Sequence, residues 1–217
     1  MNKTKIEWAD YTWNPIRGLC PVGCWYCYAR KIYKRFKWNP KPSLSLDDPE
    51  EIDRLQKKNP KPGSRIFVCS TMELFHPDIP GEWRDAIFSI IEVNQKLIFI
   101  ILTKMPENID RPMPNNVWLG TSVTGMEDLD RISCLLKTEA KIKFISFEPL
   151  LNFPALPAHG INWVIIGKLT GHGKKHDPPR RWIESLVDMA HGLKYPVFLK
   201  NNLREMWGKP LIQEYPH

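Results

Sequence analysis

The sequence has no apolar run long enough to form a membrane-spanning helix. Its charged start, Met1 to Lys5, is followed by Glu7 and Asp10 rather than by the apolar core of a signal peptide. Cysteine is scarce, with five residues of which three are clustered, so a disulfide scaffold is disfavoured and a reducing compartment fits better. We therefore expect a soluble, cytoplasmic protein with no membrane partner.

The chain also lacks a linker of biased composition, and its 217 residues fit a single domain, 1–217. Hydrophobic residues make up 42% and charged residues 25%, as in an ordinary globular protein. The net charge of +7 favours an anionic partner such as nucleic acid, a nucleotide or a phosphate ester. A basic surface without a specific ligand fits the charge equally well.

Cys20, Cys24 and Cys27 have the spacing C-x3-C-x2-C, and three thiolates this close can converge on one metal centre. A cluster of four irons normally takes four thiolate ligands, so three would leave one iron open to a reactant. Zinc is the alternative. It would need a fourth ligand such as Cys69 or a histidine, and no further C-x2-C pair or H-x3-H pattern supplies one.

The other two cysteines are not expected to bind the metal. Cys69 falls in an apolar predicted strand, and Cys134 falls on the apolar face of a predicted helix. In such places a free cysteine behaves as a small hydrophobic residue.

Short apolar runs predict about seven buried strands with amphipathic helices between them. The strands are expected at 12–16, 65–69, 96–102, 117–123, 143–147, 163–166 and 196–199. The helices are expected from Asp48 to about Lys58 and at 81–93, 127–137 and 180–190, with Gly192 as the last C-cap. Strand–helix alternation through the whole chain predicts an α/β fold of parallel strands, and the chain length suggests a partial, open (β/α)6-7 barrel of the TIM type.

Polar side chains follow most of the predicted strands, at the end where parallel α/β folds bind their ligands. They are Ser70, Thr71 and Glu73, then Thr103 and Lys104, then Thr121 and Ser122, then Glu148, then Lys168 and Thr170, and finally Lys200 and Asn201. Each one alone can be interpreted as a helix cap or a solvated strand end. Together with the cysteines they predict one shared site.

Residues 28–38 interleave basic and aromatic side chains, which allows two interpretations. Such a segment can bind phosphates and stack nucleobases. It can equally be a helix with Ile32 and Phe36 facing the core and its basic residues simply exposed, and this second interpretation is favoured.

The pattern C-x3-C-x-aromatic-C, with Tyr26 in the aromatic position, resembles the signature of radical S-adenosylmethionine (SAM) enzymes. Further motifs resemble the phage Gp37/Gp68-like family, DUF5131: Trp13-Asn14-Pro15, Cys27-Tyr28-Ala29, Ser70 to His76, Leu102-Thr103-Lys104, Asn116 to Ser122, Ser146 to Leu151 and Phe198-Leu199-Lys200. One segment departs from the family. Gly167-Lys168-Leu169-Thr170-Gly171 stands where Gly-Gly-Glu-Ser-Gly is usual, which suggests a different substrate or a moved cofactor contact.

The resemblance implies an enzyme with a [4Fe–4S] cluster on Cys20, Cys24 and Cys27 and with S-adenosyl-L-methionine bound at the open iron. One-electron reduction would cleave SAM to methionine and a 5′-deoxyadenosyl radical, with an external electron donor such as flavodoxin or ferredoxin. By the same resemblance, cofactor contacts would come from Tyr26 near the adenine, Glu73 at the methionyl amine and Ser122 at the ribose, with Ser70 and Thr71 beside them.

Catalytic roles are predicted for Lys104, Glu148 and Lys200, and substrate contacts for Asn14, Lys168 and Thr170. Three lysines around one cavity repel one another unless an anion offsets them, and Glu148 balances one at most. We therefore expect an anionic substrate, with a nucleobase, nucleotide or nucleic acid favoured and a small phosphorylated metabolite close behind. The alternative from another class is a non-catalytic Fe–S or zinc protein that binds nucleic acid.

Overall fold

Parallel strands and amphipathic helices make up both parts of the chain. The computed structural model describes residues 1–47 and 57–217, so the helix predicted from Asp48 lies almost entirely outside the described residues. The chain divides into two compact units, Met1–Val117 and Trp118–His217. No helix within the described ranges is long and apolar enough to cross a membrane.

Among its described elements, the first unit combines a mainly parallel sheet with two helices. Its elements are β1 (Asn2–Lys3), β2 (Tyr11–Trp13), β3 (Ile16–Arg17), α1 (Tyr28–Phe36), β4 (Ser43–Leu44), β5 (Arg65–Val68), α2 (Gly81–Val93) and β6 (Ile98–Thr103). Strand β2 pairs antiparallel with β1 and parallel with β5, and β5 pairs parallel with β6. Strands β3 and β4 form a separate antiparallel pair.

The second unit is an all-parallel sheet with three helices among its described elements. They are β7 (Val117–Ser122), α3 (Leu129–Lys137), β8 (Ile142–Phe147), β9 (Trp163–Ile166), α4 (Arg180–Gly192), β10 (Val197–Leu199) and α5 (Arg204–Trp207). Strands β7 to β10 pair in chain order, with Ser122 opposite Ser146 and Phe147 opposite Ile166. In neither unit do the described strands close into a ring.

An aromatic cluster fills the core of the second unit. Trp163, fully buried on β9, has four ring neighbours at centroid distances of 5.4 to 6.1 Å: Trp118, Phe144, Phe198 and Tyr215. Its indole Nε1 donates a hydrogen bond of 2.8 Å to the Glu214 carbonyl, so the one polar atom of the side chain is satisfied. The cluster thereby ties the C-terminal segment to β9 and β10.

The strands and helices were largely predictable, and the mixed α/β class with mainly parallel strands is confirmed. The strand at 163–166 and the helix at 81–93 have the predicted bounds. The strand predicted at 12–16 is instead two short strands separated by Pro15, which lacks an N–H for ladder pairing.

Two details of the prediction were wrong. Residues 104–116 and 148–162 connect strands without an α-helix, so the strand–helix alternation does not run through the whole chain. Each connection contains three prolines, which disfavour a helix interior. Gly192 is the last residue of α4 rather than its C-cap, which is Leu193.

The close packing of β7 on β8 gives a direct test of the second unit's core. A Cβ at Gly120 would overlap the Phe144 ring, so we expect Gly120→Ala to lower the free energy of unfolding by about 1–3 kcal/mol. Gly192→Ala is the matched control, because nothing lies within 4 Å of its added methyl group. That change should be neutral or stabilise by up to about 1 kcal/mol. Denaturant unfolding measures both, and a Gly120→Ala protein as stable as the wild type would contradict the packing described.

Candidate functional site

The three clustered cysteines lie on the loop between β3 and α1, and α1 holds this loop from both ends. Cys27 is the residue before the helix, and its N–H donates to the Cys24 carbonyl at 3.1 Å. Arg30 reaches back from the first turn of α1 and donates to the Cys20 carbonyl at 3.1 Å. Gly23 has a φ of 73°, and a Cβ there would lie 3.3 Å from the Arg30 guanidinium. We call residues 20–27 the cysteine loop.

All three thiols of the cysteine loop are free and half-buried. Burial raises the pKa of the Cys20 thiol, and the nearby backbone N–H groups of Val22 and Glu73 act in the opposite direction. Three free thiols on one loop suit an iron–sulfur cluster as a donor set. Across the described residues, no three Cys, His, Asp or Glu side chains are already arranged to hold a metal ion. Metal binding would therefore require the thiols to reorient, as is common where binding is coupled to folding.

Cys69 lies near the cysteine loop, but its thiol is buried whereas the three thiols of the loop are half-buried. It follows β5 directly, in a left-handed conformation with φ of 54°, rather than in the strand as predicted. Burial, with smaller contributions from the nearby Glu73 and Cys20, raises the pKa of its thiol to about 12. The thiol is thus neutral, which suits a packing role. Cys134, half-buried on α3, belongs to the second unit.

A buried carboxylate joins the carboxyl ends of β5 and β6. Glu73 is 5% exposed, so the alternative interpretation of it as a solvated strand end is wrong. Its Oε1 accepts from the Thr103 hydroxyl at 2.5 Å and from the Phe75 N–H at 3.2 Å, and its Oε2 accepts from the Lys104 N–H at 2.7 Å. Burial raises the pKa of Glu73, while these three donors and the Lys104 charge oppose the rise.

The remaining predicted residues of the first unit surround this carboxylate and the cysteine loop. The Ser70 hydroxyl donates to Asn14 Oδ1 at 3.0 Å, and the Tyr28 hydroxyl donates to the Ser70 carbonyl at 3.2 Å. Lys104 Nζ lies 5.8 Å from the centroid of the Tyr26 ring, a cation–π contact. Thr71 and Asn14 both line a cavity of about 1190 Å³. The first unit therefore brings Asn14, Tyr26, Ser70, Thr71, Glu73 and Lys104 together around the cysteine loop.

In the second unit, the predicted lysines form ion pairs. Lys200 Nζ donates to Glu148 Oε1, and Lys168 Nζ donates to Asp177 Oδ2 at 2.8 Å. Asn202 fixes the Lys168 backbone by donating to its carbonyl at 2.9 Å. The prediction considered Glu148 as the one protein counter-charge for these lysines and missed Asp177, which balances Lys168. Neither Asp177 nor Asn202 was identified from the sequence, although Asn202, like Asn201, follows the last strand.

The other predicted residues of the second unit have different surroundings. Ser122 is buried at the end of β7, and its carbonyl accepts from Arg131 Nη1 at 3.0 Å. Thr170 is exposed. A Cβ at Gly167 would lie 2.9 Å from Lys200 and 3.3 Å from Glu148, so a glycine is needed there for the ion pair to approach the backbone. The roles predicted for Ser122 and Thr170 stay predictions.

Helix α1 exposes most of its basic residues and half-buries Ile32, as predicted, but its other expected core residue is exposed. Phe36, expected in the core, is 55% exposed, and the buried residue of the helix is Ala29. Basic residues flank Phe36 on both sides in the sequence. Ala29, Ile32 and Tyr33 share a face with Phe36 at helical spacing and are buried or half-buried, so only the end of this apolar face is exposed.

Together, these features define an α/β protein with a three-cysteine loop placed beside strand ends. Over residues 3–210 the sequence matches the family described as "Protein of unknown function (DUF5131)". The chain belongs to this family, as the motif resemblance indicated. No curated protein and no solved structure matches the chain.

The hydrogen bonds of Glu73 predict a stability effect that depends on pH. Glu73→Ala leaves the Thr103 hydroxyl and two backbone N–H groups without their acceptor, so we expect a loss of about 2 kcal/mol in the free energy of unfolding. Glu92→Ala, on the exposed side of α2, is the control and should change little.

The pH dependence of that loss follows from the raised pKa of Glu73. In the folded state, the Glu73 carboxyl group stays protonated up to a higher pH than it does in the unfolded state. The wild type's advantage over Glu73→Ala is therefore full below the ordinary carboxyl pKa and falls as the pH rises through the folded value. Denaturant unfolding across this range measures it, and an advantage that grows with pH would contradict the assignment.

Proposed function

We propose that the protein is a radical SAM enzyme acting on a polar, anionic substrate, with a nucleobase, nucleotide or nucleic acid favoured. The observation that carries the proposal is the position of the cysteine loop beside the carboxyl ends of β5 and β6. There Cys20 lies near Glu73, and Lys104 contacts the Tyr26 ring. Strand ends of this kind are where parallel α/β folds bind ligands. The C-x3-C-x-aromatic-C pattern adds independent support.

In this proposal Cys20, Cys24 and Cys27 hold a [4Fe–4S] cluster. When bound and reduced, the cluster supplies the electron that cleaves SAM to methionine and a 5′-deoxyadenosyl radical. Arg30 would fix the backbone at Cys20, so that the loop backbone stays in place while the thiol side chains reorient. The half-buried thiols leave the loop accessible to a cofactor from solvent.

Glu73 would orient SAM in this proposal. A carboxylate has about four lone-pair positions, and three of them accept from Thr103, Phe75 and Lys104. The fourth, on Oε2, suits the methionyl ammonium through a charge-assisted hydrogen bond. Tyr26 would pack near the adenine, and Ser70 and Thr71 would supply further contacts from the turn after β5.

The ion pairs of the second unit suit the catalytic and substrate roles proposed for them. Lys200 and Glu148 are in hydrogen-bond contact, so a proton can pass between this pair and a bound substrate. Lys168, paired with Asp177, and Thr170 are proposed to contact the substrate from the second unit. In the first unit, Asn14 is proposed as a substrate contact and Lys104 as a catalytic residue.

The expected fold, localisation and electron donor form part of the same proposal. The resemblance implies a partial, open (β/α)6-7 barrel, and the parallel strand order within each unit supports it. Cytoplasmic localisation is proposed because free thiols suit a reducing compartment. An external electron donor such as flavodoxin or ferredoxin would supply the electron.

A non-catalytic Fe–S or zinc protein that binds nucleic acid is the second candidate. It is favoured by the exposed basic and aromatic side chains of α1, a combination typical of nucleic-acid surfaces. Production of 5′-deoxyadenosine separates the two. Anaerobically reconstituted protein, incubated with dithionite and SAM, should release 5′-deoxyadenosine, detected by chromatography. Protein that carries a cluster or zinc but releases none would support the second candidate and exclude the first.

Cysteine substitutions test which residues bind the metal. We expect about four irons per chain in reconstituted wild-type protein, and loss of most of this iron in Cys20→Ala, Cys24→Ala and Cys27→Ala. Cys69→Ala and Cys134→Ala are the matched controls and should keep their iron. Iron and sulfide quantitation measures the result. Loss of iron in either control, or stoichiometric zinc in the wild type, would refute the assignment.

A further inference from the structure

Exposed aromatic side chains are concentrated around α1. Six large hydrophobic residues are exposed in the described part of the chain, and four of them lie between residues 25 and 38: Trp25, Tyr28, Phe36 and Trp38, each between 53% and 58% exposed. Isolated exposed hydrophobic residues are common, but a local concentration of them marks an interaction site. These four side chains therefore indicate an interaction site around α1.

The rings at the end of α1 already form an ordered stack. Phe36 and Trp38 are stacked, with centroids 5.5 Å apart and planes at 23°, and the Arg35 guanidinium lies 5.3 Å from the Phe36 centroid. Tyr33 meets the Trp38 ring edge-on at 5.4 Å. The turn is fixed by the left-handed Lys37 and by the Trp38 N–H, which donates to the Tyr33 carbonyl at 3.2 Å. We call residues 33–38 the α1 platform.

The charge of the α1 platform identifies the chemistry of its partner. Between residues 28 and 38 the sequence has five basic residues and no acidic one. Lys34, Arg35 and Lys37 are all exposed. Flat aromatic faces beside exposed cations are the combination that binds single-stranded nucleic acid, since bases stack on the rings and phosphates contact the cations. An apolar peptide would leave these cations without counter-charges.

A cavity of about 1190 Å³ opens beside the platform and lies entirely within the first unit. Tyr33 and Trp38 line it, together with the basic Lys41 and the amide side chains of Asn14 and Asn39. Ligand cavities in proteins typically measure about 300–1,000 Å³, so one nucleotide fits. Amide side chains can pair with base edges, and Asn14 also belongs to the candidate site beside the cysteine loop.

We propose that the α1 platform and this cavity bind a single-stranded polynucleotide, with one nucleotide seated in the cavity. Its bases would stack on Trp38 and Phe36, and its phosphates would contact Lys34, Arg35 and Lys37. The proposal deepens the proposed function by naming its substrate class, and it rests on that function for the chemistry but not for the binding. Double-stranded nucleic acid binds less well, because its bases are not free to stack.

The test is fluorescence anisotropy of labelled 12-nucleotide single-stranded RNA and DNA with the iron-reconstituted protein. Three variants probe the platform: Trp38→Ala, Phe36→Ala and the triple variant Lys34→Gln/Arg35→Gln/Lys37→Gln. The controls are Met126→Ala and Lys137→Gln/Lys141→Gln/Lys175→Gln, which remove an exposed hydrophobic residue and three exposed charges in the second unit. Circular dichroism melting verifies that every variant is folded.

We expect the single-stranded RNA, the single-stranded DNA or both to bind, and the one that binds more tightly identifies the class of polymer. Trp38→Ala should weaken binding about tenfold, the loss of one stacked base. The triple platform variant should lower the salt slope by about 2, corresponding to three phosphate contacts. The controls should bind like the wild type.

Several results would overturn the proposal: no binding of either single strand, equal losses in both triple variants, unchanged affinity of Trp38→Ala, or tighter binding to duplex or to vesicles of anionic lipid. Failure of the proposed function is seen separately. Intact platform-dependent binding without 5′-deoxyadenosine production would exclude the enzyme and keep the polynucleotide site. Production of 5′-deoxyadenosine without polynucleotide binding would keep the enzyme and exclude the polynucleotide site.

Discussion

The buried carboxylate of Glu73 is the interaction on which the first unit's candidate site depends. Its two oxygens hold Thr103 and Lys104 at the end of β6 and Phe75 in the segment after β5. A buried carboxylate is costly unless its lone pairs are satisfied, and here three donors satisfy it. Glu73 also lies close enough to Cys20 for its charge to raise the pKa of that thiol. Changing Glu73 would disturb both strand ends.

Helix α1 connects the cysteine loop to the aromatic platform. At its start, Cys27 precedes the first turn and Arg30 holds the Cys20 carbonyl. Toward its end, the Tyr33 hydroxyl accepts from the Gly18 N–H at 2.8 Å, which ties the last turns to the strand before the loop. A nine-residue helix held at both ends is short and constrained. It therefore places a proposed cofactor site and a proposed polymer site at a fixed separation.

The sequence predicted the features that depend on local pattern. Continuous apolar runs identified the parallel strands, because strands buried on both faces need no alternation. The cysteine spacing and the polar strand ends identified most residues that the first unit gathers around Glu73. The break at Pro15 was not predicted. The missing N–H of a proline interrupts a strand only where that N–H would pair with a neighbouring strand, and the sequence does not show where it would.

The features that depend on distant contacts were not predictable. The pairing of Lys168 with Asp177 depends on the course of a loop, which composition does not determine. Phe36 lies at the end of α1, and its exposure goes with the left-handed turn at Lys37 that stacks it on Trp38, a turn that helical periodicity does not predict. The left-handed Cys69 has no signature in the sequence either, since such a conformation in a non-glycine residue is imposed by its surroundings.

The central claim is that three cysteines hold a cluster with one iron open to SAM. Electron paramagnetic resonance of the anaerobically reduced protein, recorded before and after SAM is added, tests this most directly. We expect the signal of a reduced [4Fe–4S] cluster in the wild type, shifted by SAM because SAM would coordinate the open iron, and no such signal in Cys24→Ala. A cluster signal that SAM leaves unchanged, or a wild-type protein that binds zinc and gives no signal, would contradict it.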